Sequence, residues 1–152
     1  MMIKRSFACL GLICVLAAAC QAANPTIEAP LNTEFTLARD QSARIKTTDL
    51  TVTFSSVLSD DRCPIEVECA ASGPVTVSLA IHRAGEDLPV NVTMETFTDQ
   101  EGRAPAEELE GVEPSADIGE YVIHVVSVLP YPRNLSGIKA SDYQATFIVI
   151  PK

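Results

Sequence analysis

The chain has 152 residues, with 11 basic and 20 acidic side chains for a formal charge of −9, and it contains no tryptophan. That acidity excludes a nucleic-acid binder, which needs Lys and Arg to displace phosphate counterions, and it leaves no basic patch for anionic lipid headgroups. With 5 Phe and 3 Tyr the core must be built mainly from Val, Ile and Leu, a composition that favours strands.

The N-terminal segment sets the compartment. Lys4 and Arg5 precede a charge-free run of 13 small and apolar residues at 7–19. The run is too short to span a bilayer, which takes about 20 residues, and it has the length of a signal-peptide core. It ends in Leu16-Ala17-Ala18-Ala19-Cys20. This resembles a bacterial lipobox, in which a small residue precedes a cysteine that is acylated and becomes the mature N-terminus. Ala17 stands where a large aliphatic residue is usual, and Leu16 lies one place further back. Ala17 and Ala19 also form an A-x-A site, so an ordinary secretory signal is the alternative. Cysteine arithmetic favours lipidation. Cys9 and Cys14 leave with the signal, and Cys20, Cys63 and Cys69 remain. An odd thiol in an exported protein stays free or seeks a partner elsewhere; acylation of Cys20 leaves an even pair. In the lipoproteins this resembles, aspartate after the cysteine favours inner-membrane retention, so Gln21 implies transport to the outer membrane. Loss of 1–19 removes Lys4 and Arg5 and no acid, which takes the formal charge to −11.

Residues 21–32 are small and polar, with Pro25 and Pro30, and read as a flexible tether. The expected organisation is therefore a signal at 1–19, lipidated Cys20 and linker at 20–32, and one domain at 33–152. Within that domain the pattern has period two. Phe35 and Leu37 alternate with polar neighbours, and a short edge strand follows near 43–45. Leu50, Val52 and Phe54 alternate with Thr51, Thr53 and Ser55, as in a half-buried strand. Val75, Val77, Leu79 and Ile81 share one face, and Val90, Val92 and Met94 repeat the pattern. Residues 120–129 are apolar on both faces, as in a central strand, and 143–150 close the chain. About seven strands with Gly and Pro turns predict an all-β, antiparallel sandwich.

Between two of these strands lies Asp60-Asp61-Arg62-Cys63-Pro64, with Cys69 and Gly73 following. Nearby thiols in an oxidising compartment become disulfides. A Cys63–Cys69 bridge would close a short ring, stabilising by about 2.4 kcal/mol on chain-entropy arithmetic. Zinc is a competing reading, but it needs four ligands, and besides these thiols the chain offers only His82 and His124, both on strands. A redox pair is another, although its usual spacing is C-x-x-C. Arg62, flanked by Asp61 and close to Glu66, is expected to form a local ion pair, worth under about 1 kcal/mol if exposed.

Residues 98–117 make the longest irregular stretch, with seven carboxylates between Asp99 and Asp117. Clustered carboxylates suit calcium, but no EF-hand spacing is present, so a solvated acidic loop is expected and no metal or cofactor is assigned. In Leu129-Pro130-Tyr131-Pro132 the prolines end a strand and fix a turn, either X–Pro bond is a candidate for cis, and Tyr131 is read as a lid over the sandwich end or an exposed platform.

These segments, together with Asp142-Tyr143-Gln144-Ala145-Thr146-Phe147, resemble a family of uncharacterised exported bacterial proteins with a D-x-R-C-P-x₄-C signature. The resemblance covers nearly all of 33–152. Ala71 departs from it, since an aromatic residue often stands two places after the second cysteine. The resemblance implies an immunoglobulin-like sandwich and a disulfide, and no activity.

No G-x-S-x-G, H-E-x-x-H or Gly-rich phosphate loop appears. His124 and Ser127 fall on opposite faces of one strand. The expectation is thus a non-enzymatic envelope lipoprotein, attached to the membrane through its N-terminal lipid, that presents a sandwich to a protein or glycan partner. An anchored inhibitor of an envelope-attacking hydrolase is the alternative.

Overall fold

The structure, a computed structural model, describes residues 25–107 and 109–152. The expected leader at 1–19 and the expected lipidation at Cys20 lie outside the described residues. Nine strands occur among those described: β1 Ile27–Ala29, β2 Phe35–Ala38, β3 Ser42–Ile45, β4 Leu50–Asp60, β5 Val75–Arg83, β6 Val90–Thr96, β7 Ser115–Ile118, β8 Tyr121–Leu129 and β9 Gln144–Pro151. They form two sheets, ordered β1-β3-β4-β5-β6 and β2-β9-β8-β7. Every pairing is antiparallel except β1 with β3.

The all-β sandwich expected from the alternation is what the chain forms, because side chains two apart share a face. Val52, Phe54, Val75, Val77 and Leu79 line one inner face; Leu37, Ile123, Phe147 and Val149 line the other, all fully buried. Phe147 bridges the layers, with its ring 5.9 Å from Phe54 and 6.1 Å from Phe35. Each such side chain contributes roughly 1.5–3 kcal/mol by leaving water.

Two strands escaped the sequence reading. β1 lies inside the expected tether: Ile27 pairs with Ala43 and Ala29 with Ile45, and Ala29 is buried. The linker is therefore shorter than 20–32, because an apolar pair at alternate positions found a free sheet edge. β7 lies inside the expected acidic loop and pairs with the first half of β8. Beyond it, the Gly102 carbonyl accepts from Val128 N–H (2.8 Å) and Ala104 N–H donates to the Val126 carbonyl (2.8 Å). Much of 98–117 is thereby fastened to the edge of β8.

Strand direction divides the loops between two ends. One end carries the start of β1, the turn at 39–41 and the connections 61–74, 97–114 and 130–143. The other carries 30–34, 46–49, 84–89, the turn at 119–120 and the last residue, Lys152. They are called here the loop end and the far end. β4 reaches the loop end through two irregularities in its register with β5, at Phe54/Ser56 and Val57/Ser59. Bulges of this kind strengthen twist and discourage edge-to-edge pairing.

Candidate functional site

At the loop end, Asp60 closes β4 and Arg62 follows two residues later, on the same side of an extended backbone. The guanidinium forks onto the carboxylate, with Nε 2.7 Å from Oδ1 and Nη2 2.6 Å from Oδ2. Nη1 donates to the Val128 carbonyl at 2.8 Å and to Thr98 Oγ1 at 3.4 Å, and Nη2 donates also to the Pro130 carbonyl at 3.0 Å. All five N–H groups of the guanidinium are thus engaged. Tyr143, just before β9, donates its hydroxyl to Asp60 Oδ2 at 2.9 Å. The Arg62 guanidinium lies over the half-buried Tyr131 ring, 4.9 Å from its centroid.

This corrects the expectation for Arg62. It is 3% exposed, and its partner is Asp60 rather than Asp61 or Glu66. Glu66 instead faces Arg133 at 3.5 Å. Tyr131 is a lid, with Arg62 packed on its face. Burial, reinforced by the hydrogen bond to Asp60 and its negative charge, raises the Tyr143 phenol well above its ordinary value, and nearby Arg62 offsets part of this. The cluster joins the end of β4 in one sheet to the ends of β8 and β9 in the other. The guanidinium's donors are all engaged within the protein, so the cluster fastens the sheets, and Asp60, Arg62 and Tyr143 form part of the wall of the groove at this end.

Cys63 and Cys69 form a disulfide with Cα atoms 6.0 Å apart. The loop it closes is also held from outside: Ile65 N–H donates to the Pro132 carbonyl at 3.1 Å and Glu66 N–H to the Arg133 carbonyl at 2.8 Å. Gly73 lets the return strand pass close, since a Cβ there would meet Asp61 Cβ at 2.6 Å. The Leu129–Pro130 bond is cis. Between the disulfide loop and 130–143 runs a groove of about 320 Å³, edged by Asp61, Pro64, Leu135 and Ile138. Ile65 is 49% exposed and Leu135 82%.

The far end holds a second cleft, of about 350 Å³, between the edge strands β6 and β7. Ile81, Val90 and Ile118 give it an apolar floor, and Glu86 and Glu120 an acidic rim. Arg83 crosses it, donating to the Ile118 carbonyl and lying 3.4 Å from Asp49. Gly119, at φ +78°, leaves the room that this arginine occupies. Val90 lines the cleft yet has 57% of its surface in water, and Leu88, two residues earlier in the 84–89 connection, has 77%.

The remaining titratable residues do not converge. His82 is exposed on β5, and His124 is half-buried on β8 while Ser127 is buried. Among the described residues no group of three His, Cys, Asp or Glu side chains is placed to hold a metal ion, and no helix is long and apolar enough to cross a membrane. Scans of protein-family models, of curated proteins and of solved structures returned no match to the chain.

The sequence pointed to Cys63 and Cys69, which the fold joins, and to the D-x-R spacing, whose pairing it misassigned. It missed Tyr143 as the third member of that cluster. The far-end cleft was also missed. Its only trace was the run Leu88-Pro89-Val90, two large apolar side chains at a turn where polar residues are usual.

Proposed function

We propose that this chain is an exported, non-enzymatic lipoprotein of the bacterial envelope that binds a protein partner through the far end of its sandwich. The observation that carries the reading is the cleft between β6 and β7, with Val90 exposed in its lining and Leu88 exposed two residues earlier. Exposed apolar side chains grouped around a concave surface and rimmed by charge are the usual marks of an interaction site. Among the described residues no strand pairs with the outer edge of β6. Glu95 N–H is taken by the Glu113 carbonyl at 2.9 Å, so an extended segment of the partner could add to the far-end part of that edge, near Val90. A protein suits this site better than a glycan: the chain has no tryptophan, and no aromatic side chain is among the described residues that line the cleft.

Export is supported by the disulfide, a bond that persists in oxidising compartments. Anchorage is supported by the lipobox-like Leu16–Cys20 segment, and Gln21 favours the outer membrane. The test is affinity capture from envelope extracts with the mature protein and with a Leu88→Asp/Val90→Lys variant. A stoichiometric partner retained by the first and lost by the second, at equal melting temperature, is the expected outcome. A partner retained by both, or capture of none, removes the far end from the proposal. If the partner is a hydrolase whose rate falls on binding, the protein is its inhibitor.

A further inference from the structure

The position of the N-terminus decides how the domain stands on its membrane. β1 is parallel to β3, so the chain enters the sandwich from the loop end. Ile27 pairs with Ala43, which pairs with Val52 of β4. From that level β4 runs on to Asp60, a rise of about 26 Å or less, and the disulfide loop and 130–143 lie beyond it. The chain from Cys20 to Ile27 spans at most about 25 Å when fully extended. A lipid on Cys20 therefore reaches no further than the loops themselves.

A second observation points the same way. Leu58, Ile65, Leu129 and Leu135 are exposed on the loop end or the strand ends leading to it. Of the polar side chains there, Asp60, Arg62 and Tyr143 bond to one another and fasten the two sheets.

We infer that the loop end rests on the lipid surface, with Ile65 and Leu135 entering the headgroup region, while the cleft at the far end faces away from the membrane. This rests on the reading of Cys20 as the anchor. It fixes what that reading leaves open, namely which end of the sandwich is available to a partner. The exposed carboxylates Asp61, Glu66 and Glu68 beside these side chains favour zwitterionic over anionic lipid, by like-charge repulsion.

The absence of tryptophan makes a direct test simple. Single variants Ile65→Trp, Leu135→Trp and Leu88→Trp replace exposed side chains and each supplies one indole. The mature protein is placed in phosphatidylcholine vesicles with or without brominated acyl chains. Ile65→Trp and Leu135→Trp should shift their emission to the blue and lose most of it to bromine, and Leu88→Trp should change in neither respect. Quenching of Leu88→Trp, or of none of the three in vesicle-bound protein, overturns the inference. Anchorage is decided separately. Mass spectrometry of the natural N-terminus shows whether Cys20 is acylated, and unacylated protein can be coupled through the Cys20 thiol to a maleimide lipid. That second arm keeps the tether length. The same quenching pattern in it supports the orientation, and its reversal overturns the orientation.

Discussion

Arg62 is the residue on which the loop end turns. Removing one member of a buried, hydrogen-bonded ion pair strands the other, at a cost of about 3–5 kcal/mol. Arg62→Met should therefore lower unfolding free energy by about that amount in urea titrations followed by circular dichroism. An Asp60→Leu/Arg62→Met double variant should lose less than the sum of the single changes, because no charge is then left unpaired. Tyr143 adds a pH dependence of definite sign. Its phenol is raised above the ordinary value of 10.0 in the folded protein, so the fold holds this proton more tightly than the unfolded chain does. The associated stability is complete below about pH 10 and is lost as pH climbs past that point. Tyr143→Phe should flatten this alkaline decline in melting temperature. At neutral pH it should cost about 1.5–3 kcal/mol through the lost bond to a carboxylate.

At the scale of elements, the disulfide and the strand edges carry separate parts of the fold. Replacing Cys63 and Cys69 with serine together should destabilise by about 2.4 kcal/mol at most. The strands should persist in far-ultraviolet circular dichroism, because backbone bonds from Ile65 and Glu66 still hold the loop to 132–133. A loss of all β signal would show that the loop is needed for the sandwich to form. How far the sequence foretold these elements follows from their burial. β5 and the first half of β4 alternate cleanly because one face of each meets the opposite sheet, and β8 and β9 are long, largely apolar runs. β1 and β7 are an edge strand of three residues and one of four, and their pairing depends on a neighbouring edge that no local pattern encodes. The same limit hid the site. Asp60 and Arg62 are adjacent in sequence, but Tyr143 and the Val128 and Pro130 carbonyls reach them only after the sheets have packed. The sequence reading gave Arg62 to Asp61 and Glu66 although Asp60 lies only two residues away, on the same side of an extended backbone.

For the whole molecule, charge and polarity divide the surface. A formal charge of −9, or −11 once the leader is gone, sets carboxylates against one another on a small domain and reduces the stability of the compact state. Raising sodium chloride from about 0.01 to 0.15 M, which shortens the Debye length from about 30 to 8 Å, should therefore raise the melting temperature; a fall would mean that ion pairs such as Lys152–Asp117 outweigh the repulsion. The parallel seating of β1 against β3 also has a mechanical meaning. With Cys20 carrying the proposed lipid, tension on the chain would pull Pro25 roughly along the strand axis, so the β1–β3 ladder would bear the load as a sliding joint and not as a zipper opened one tooth at a time. A sliding joint resists until its bonds fail together. Single-molecule pulling on the N-terminus should then release β1 in one abrupt step, ahead of the rest of the sandwich, leaving a longer leash between the domain and its membrane.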